Sequence, residues 1–452
     1  MQNIVKAVAK HRDLILSAER YIWENPETGY KEYKTSRYME EQFRLLGYDV
    51  TLADGITGFY TTVDTGREGP TVLVLAELDA VICRSHPNAD PDTGAVHACG
   101  HNAQCAAMLG VAAALKDKTV LENLSGKIML CVVPAEESLE MEFRAELREK
   151  GVIKYTGGKS EFLSRGYFDG VDMAFMVHTA GGAHVSHGGR SLGFIGKTVT
   201  YKGVAAHAGG APWLGKNALY AANAGLAAVN AIRETFRDED HVRWHPIMTA
   251  GGDIVNNIPE TAKIESMLRA VTSEALLREN EKINRALIGA AISFGVEVEI
   301  NDEPGYAPLY HDKNLAAAAK EAFDRIIPHT SKPDMGCGES FDGVGGGTMD
   351  MGDLAMIMPV LHPYMGGAVG KGHGNDYYIT DPETACVICA MWQVAMLTVL
   401  LEKGGVVAKE IVEKYDAPFA SKEEFLATQD KVCKSGNRVE YLENGEIRIN
   451  NG

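Results

Sequence analysis

KIMLCVVPAEE, residues 127–137, is the stretch on which the fold turns. Seven residues of this run, Lys127 to Val133, are almost wholly apolar and β-prone, and the run then breaks at Pro134 into two adjacent carboxylates, Glu136 and Glu137. A short apolar run bounded by a turn signal predicts a strand buried on both faces, as in a parallel sheet. Two neighbours repeat the pattern. TVLVLAELDA (71–80) is a buried strand running into Glu77 and Asp79, and VDMAFMVH (171–178) is another ending in His178. Between the first two, HNAQCAAMLGVAAALK (101–116) predicts a helix of small residues. Strands alternating with helices predict an α/β domain, and in such sheets sites form beyond the carboxyl ends of the strands.

Outward from this core, residues 3–22 and 32–46 predict amphipathic helices, separated by the turn-rich ENPETGYKEYKTS (24–36). Residues 191–301 change character. The order is strand (LGFIGKTVTYKG), helix (NALYAANAGLAAVNAIRETF), two strands (VRWHPIMTAGG, ETAKIESMLRAV), a helix with a Thr or Ser cap, and the closing strand VEVEIND. That is the ferredoxin-like split β-α-β-β-α-β unit, here an insertion. The expected division is 1–190 for the first part of the α/β domain and 191–303 for the insert. Its second part is 304–407, with a charged extension over 408–452 that suits a peripheral helix and hairpin.

The chain has 452 residues, 45% hydrophobic and 23% charged, with a formal net charge of −17. The length predicts more than one domain. The acidity disfavours nucleic acid and anionic membranes as partners. The N-terminus shows no secretory pattern, and no run of about 18 consecutive apolar residues predicts a spanning helix. Eight scattered cysteines (Cys83, Cys99, Cys105, Cys131, Cys337, Cys386, Cys389, Cys433) do not form a disulfide framework, so a cytoplasmic location is expected.

Several residues could carry chemistry. In HACGH (97–101), Cys99 and His101 lie two apart before a helix. Thiolate and imidazole are common ligands of zinc-like ions, and a helix N-terminus favours the thiolate. The other reading makes Cys99 a small core residue and His97 and His101 loop histidines. In PAEE, one carboxylate can bind a cation while its neighbour serves as a base; the other reading is a solvated pair. His178 stands at a strand end, and His373 lies between Gly372 and Gly374, which suits a constrained backbone. His362, before Pro363, reads as packing. Cys386 and Cys389 lie inside an apolar helical run and read as core, as does Cys105. The glycine-rich loop 335–353 has no nucleotide-binding spacing; Asp350 and Asp353 there are either supports for a site or solvated. A shared site accounts for the strand-end Cys, His and Glu residues together better than separate structural roles do.

Taken in order, ENPETGYKEYKTS, AELDA (76–80), HACGHN (97–102), PAEE, MVH (176–178), GVAAHAGGAP (203–212), NNIP (256–259), TMDMGD (348–353) and HGNDYY (373–378) resemble the M20 metallopeptidases. The likeness is to the amidohydrolase branch of aminoacylases and hippurate, auxin-conjugate and aminobenzoyl-glutamate hydrolases. It covers roughly residues 8–405. It implies a zinc-peptidase-like catalytic domain with a mixed central sheet, plus a ferredoxin-like lid that commonly dimerises. Cys99, His101, Glu137, His178 and His373 match the ligands of two divalent ions, with zinc, manganese, cobalt and nickel all suiting the donors. Glu136 matches the general base. Asp79 matches an acid behind the site that orients ligands. His207 matches a lid histidine that reaches a neighbouring subunit's site to stabilise an oxyanion. Asn256 and Arg269 match lid residues that grip substrate, although Arg269 also suits a pairing with an acid on the lid sheet. Two positions depart from the pattern: Asn102 replaces the usual Asp after Cys-Gly-His, and Glu77 replaces the first Asp of Asp-x-Asp. Both read as tuning of residues behind the ligands, and they place the chain nearest the aminobenzoyl-glutamate hydrolases. The implied activity is hydrolysis of an N-acyl or N-aroyl amino acid, with a dipeptidase or a non-catalytic metal-binding relative as alternatives.

Overall fold

The computed structural model describes residues 1–182, 185–186, 189–338, 343–432, 434–442 and 446–450, so Cys433 lies outside the described residues. The chain forms two compact units. The first comprises Met1–Arg190, Tyr310–Gly343 and Asp353–Lys422; the second comprises Ser191–Leu309, Val344–Gly352 and Glu423–Gly452. The 408–452 stretch is therefore not one body, because it divides at Lys422 between the two units.

The first unit is built on a six-stranded mixed sheet in the order Thr51–Leu52, Phe59–Asp64, Lys127–Val133, Thr71–Glu77, Met173–Phe175, Val360–Leu361. The last four strands are mutually parallel, while Phe59–Asp64 runs antiparallel to Lys127–Val133. The register pairs Glu77 with Val133 and Val74 with Phe175. Parallel strands in this register deliver their carboxyl ends to one edge, which is where Asp79, Glu136 and His178 follow. Residues 72–77 and 128–133 are all buried, as expected for strands covered on both faces.

The helix His101–Ala114 is buried along its whole length and packs against Arg12–Trp23 and Cys389–Leu401. The expected first helix is two helices, Gln2–Ala9 and Arg12–Trp23, broken at Lys10 and His11. The segment Glu383–Leu401 is long and apolar enough to cross a membrane, which the sequence reading did not anticipate. However, 94% of its apolar window is buried inside the unit, so it serves as a core helix. Cys386 and Cys389 lie within it, buried.

The second unit is an antiparallel sheet carrying the helices Ala218–Ile232 and Ser273–Phe294. Its strands run Arg243–Ala250, Thr261–Ala270, Gly193–Lys202, Glu297–Pro304, which is the ferredoxin-like order. Thr272 caps the second helix by accepting from Ala275 N, and Gly295 ends it at φ +66°. The tail extends this sheet: Lys434–Tyr441 pairs antiparallel with Glu297–Pro304, and Ile447–Ile449 pairs with Lys434–Tyr441. At the opposite margin, Arg243–Ala250 has no further strand among the described residues and exposes Ile247 and Met248.

Candidate metal centre

Gly100 makes the turn that separates Cys99 from His101. Its φ is +88°, and a Cβ there would lie 2.4 Å from Tyr377 Oη, so both conformation and space require glycine. The turn leaves Cys99 Sγ 3.4 Å from His178 Nε2. The His178 ring is oriented through Nδ1, which lies 2.9 Å from Thr179 O. His101 Nδ1 lies 2.8 Å from the Asp79 carbonyl oxygen and 3.3 Å from Asp79 Oδ1, an arrangement in which Nδ1–H donates and Nε2 keeps its lone pair. His373 adopts φ +62° and is anchored by its N–H to Ala98 O, placing Nε2 3.1 Å from Glu137 Oε1.

Two trios of donor atoms result: Cys99, His101 and His178, and Cys99, Glu137 and His373. They share Cys99. A third trio, Glu77, His101 and Glu136, places Glu136 beside them. The donor atoms of each trio all lie within 4.8 Å of one another, and the Cys99–His178 and Glu137–His373 pairs, at 3.4 and 3.1 Å, come near the edge of roughly 3.3–3.8 Å of a tetrahedron with bonds of roughly 2.0–2.3 Å. His101 Nε2 and Glu137 Oε1 are buried, with Glu77 Oε2 and His373 Nε2 as their respective neighbours at 3.1 Å. Carboxylates, a thiol and imidazoles crowded together out of water are costly unless a cation occupies the space between them. The donor set therefore fits divalent cations.

Electrostatics point the same way. Glu77, Asp79, Glu136 and Glu137 are all buried at one strand edge. Burial, reinforced by Glu137, pushes the Cys99 thiol up. The expected help from the helix N-terminus is outweighed, so the thiolate depends on nearby cations. Burial alone would lower His101, but Glu77 and then Cys99 raise it well above its ordinary value. The hydrogen bond to Glu137 raises His373.

Two residues close to the site, Lys159 and Gln104, escaped the sequence reading. Lys159, fully buried, lies 2.5 Å from Glu77 Oε1, while Gln104 Nε2 donates to Glu77 Oε2 at 2.9 Å. Burial would raise the Glu77 carboxyl, yet Lys159 and then His101 hold it below the usual carboxylate range. Glu77 is thus part of the cluster rather than a distant support. Its strand-end position was a signal; Lys159, in the polar run GGKSE, gave none. His362, expected as packing, is buried with its ring 5.4 Å from that of His178, so it walls the site.

Asn102 departs from expectation. Its amide donates to Glu19 Oε1 at 2.8 Å and makes no bond to a site residue. Adjacent helical residues point about 100° apart, so with His101 facing the strand ends Asn102 turns to the neighbouring helix. Asp79 does lie behind the site: its Oδ2 accepts from Glu137 N at 2.8 Å. Asp353 bonds Ser160, and Cys105 Sγ donates to Glu77 O from within the core.

In the second unit, His207 is exposed, and its Nδ1 accepts from Gly209 N and Gly210 N at 3.2 and 2.9 Å. The neutral ring consequently carries its proton on Nε2. Asn256, also exposed, is held beside it through Ala208 N to Asn256 O, 2.9 Å. Among the described residues Arg269 meets no acid; Nε donates to His245 Nε2 at 3.1 Å and Nη1 to Gly346 O at 3.0 Å.

The sequence profile of peptidase family M20/M25/M40 matches residues 73–397, which contain every donor in the two trios. The chain belongs to this family. Among M20/M25/M40 relatives, the mouse Xaa-Arg dipeptidase is 28% identical over 363 residues, covering 76% of this chain and 74% of its own length. Indole-3-acetyl-aspartic acid hydrolase of Enterobacter agglomerans is 28% identical over 373 residues, covering 68% and 80% respectively. The fold is shared with a Bacillus subtilis structure described as a dinuclear metal binding peptidase from the M20 family. That match has a TM-score of 0.65 and 20% identity, covering 87% of this chain and 99% of the other. An aminobenzoyl-glutamate utilization protein from Klebsiella pneumoniae matches with a TM-score of 0.64 and 19% identity, covering 86% and 97%. This M20/M25/M40 chain is accordingly a metal-dependent hydrolase of amide bonds.

Proposed function

We propose that this chain hydrolyses the amide bond of an N-acyl or N-aroyl amino acid, holding two divalent ions through Cys99, His101, Glu137, His178 and His373. The observation that carries this reading is the pair of donor trios sharing Cys99, with Glu136 beside them. Two ions bound there would acidify a water and polarise the substrate carbonyl. Glu136 takes the proton of the attacking water and delivers it to the leaving nitrogen. Asp79 fixes the His101 tautomer and the Glu137 peptide, so these groups need no reorganisation during the reaction. His207, with its proton on Nε2, is a donor for the developing oxyanion, supplied by a second copy of the chain. The edge strand Arg243–Ala250, with no further strand beyond it among the described residues and Ile247 and Met248 exposed, suits pairing with its own copy. Asn256 offers polar contacts to substrate, and Arg269, fixed by His245, offers a positive charge for its carboxylate.

The relatives named for indole-3-acetyl-aspartic acid and for aminobenzoyl-glutamate support an aroyl or arylacetyl amino acid. The Xaa-Arg dipeptidase relatives support a dipeptide as the second reading. A hydrolysis screen of N-acyl amino acids, aminobenzoyl-glutamate and dipeptides, with zinc, manganese, cobalt or nickel added, separates the two. Turnover of the acyl amino acids above the dipeptides is expected, and the reverse order replaces the first reading with the second. Glu136→Gln should lower kcat about a hundredfold to ten-thousandfold with metal content unchanged. Retained activity would refute the base assignment.

A further inference from the structure

The general base sits on a turn whose conformation is unfavourable by itself. Ala135 has φ +56°, the left-handed region that a residue with a Cβ seldom occupies. Strain of this kind persists only where the surroundings over-determine it. Here the surroundings are specific. Ala135 N donates to Glu32 Oε1 at 2.8 Å, and Glu137 N donates to Asp79 Oδ2 at 2.8 Å. Glu136 is thus suspended between two peptide groups, each tied to a buried carboxyl group. Glu32 has no exposed surface, and its other oxygen is held by Thr57 Oγ1 at 2.6 Å. Glu32 also stands in ENPETGYKEYKTS, about a hundred residues before the turn it holds. From behind, Gly29 leaves no room for movement, since a Cβ there would lie 2.9 Å from Ala135 Cα.

We propose that Glu32 is a positioning residue for catalysis: by holding the Ala135 peptide it fixes the left-handed turn that aims Glu136. The inference rests on Glu136 being the base. The Glu32 side chain bonds Thr57 and Ala135 and makes no hydrogen bond or ion pair with Cys99, His101, Glu137, His178 or His373, so its removal should leave ion binding in place while the base swings out of line. A misplacement of about 1 Å at a reacting group can cost about a hundredfold.

The test uses the metal-loaded full-length protein and one hydrolysed acyl amino acid. Glu32→Leu, which cannot accept from Ala135, should lower kcat tens-fold, with KM within about twofold and metal content by elemental analysis unchanged. Glu32→Gln keeps an acceptor oxygen of the same reach and should stay within about threefold of the parent. Thr57→Val, which frees the far oxygen of Glu32, should fall between them, and it carries the test alone if Glu32→Leu does not fold. A purely structural Glu32 would instead lower metal content or soluble yield with kcat per loaded site unchanged, in Glu32→Leu or in Thr57→Val, and this overturns the proposal. Glu136→Gln run alongside separates the two failures. If it is inactive while Glu32→Leu or Thr57→Val keeps full kcat, only the positioning role falls; if it is active, the base assignment falls with it.

Discussion

The residues assigned chemistry in the two units are held in opposite ways. In the first unit most are interior: Asp79 is 0%, His101 1%, Glu137 7% and Glu136 8% exposed, Cys99 and His178 are half-buried and only His373 reaches the surface, while Asp79 ties His101 and Glu137 from a distant element. In the second unit His207 and Asn256 are exposed on loops, fixed by bonds within a few residues or to each other's strand. The contrast separates two tasks. Charged donors that must converge on cations need a scaffold that prevents them from relaxing apart. A donor that meets the substrate from outside needs a fixed tautomer and a free approach, and the two glycine N–H groups on His207 Nδ1 supply the first.

The contrast can be broken most severely at its interior pole. Cys99→Ala removes the atom common to both trios, so bound metal should fall for both ions and hydrolysis should drop to background. Elemental analysis showing full occupancy in that variant would mean that the thiol is not shared. At the exposed pole, His207→Ala should lower kcat about a hundredfold to a thousandfold with metal content unchanged. Mixing His207→Ala with Glu136→Gln chains, each inactive alone, should restore about a quarter of the parent rate if each site draws its histidine from the other copy of a two-fold dimer. No recovery after verified subunit exchange would place His207 elsewhere.

The smallest effect concerns Glu19, the partner of Asn102. Burial raises its carboxyl from 4.5 to about 7. A raised acid favours the folded state at low pH, so its contribution is fully present below about 4.5 and is lost as pH rises through about 7. Glu19→Gln keeps an acceptor for Asn102 and should raise Tm at pH 8 while leaving it little changed at pH 4. Equal Tm shifts at both pH values would show that Glu19 does not titrate in this window.

The legible part of this molecule was the part whose physics is local. Three apolar runs ending in Asp79, Glu136 and His178 declare buried parallel strands, and their convergence follows from sheet geometry. The βαββαβ order of the second unit was equally plain. What escaped detection depended on tertiary pairing. Glu32 and Lys159 act on residues 103 and 82 positions away, and no periodicity marks such partners. A hairpin in the tail was expected, but not its pairing with Glu297–Pro304, because Lys434–Tyr441 is largely polar and lacks the alternation that announces a half-buried strand. Asn102 was assigned by its match to the family's Asp, and its contact with Glu19 is another tertiary pairing that no spacing marks.

The C-terminal strands have a consequence for assembly. By occupying the flank of Glu297–Pro304, they leave the sheet with one long margin available, Arg243–Ala250, and one three-residue margin, Ile447–Ile449. A sheet with two long bare flanks can add copies head to tail without limit. If copies of this chain associate through strands, the single long flank among the described residues would be satisfied by one antiparallel encounter, and growth would stop at a closed pair.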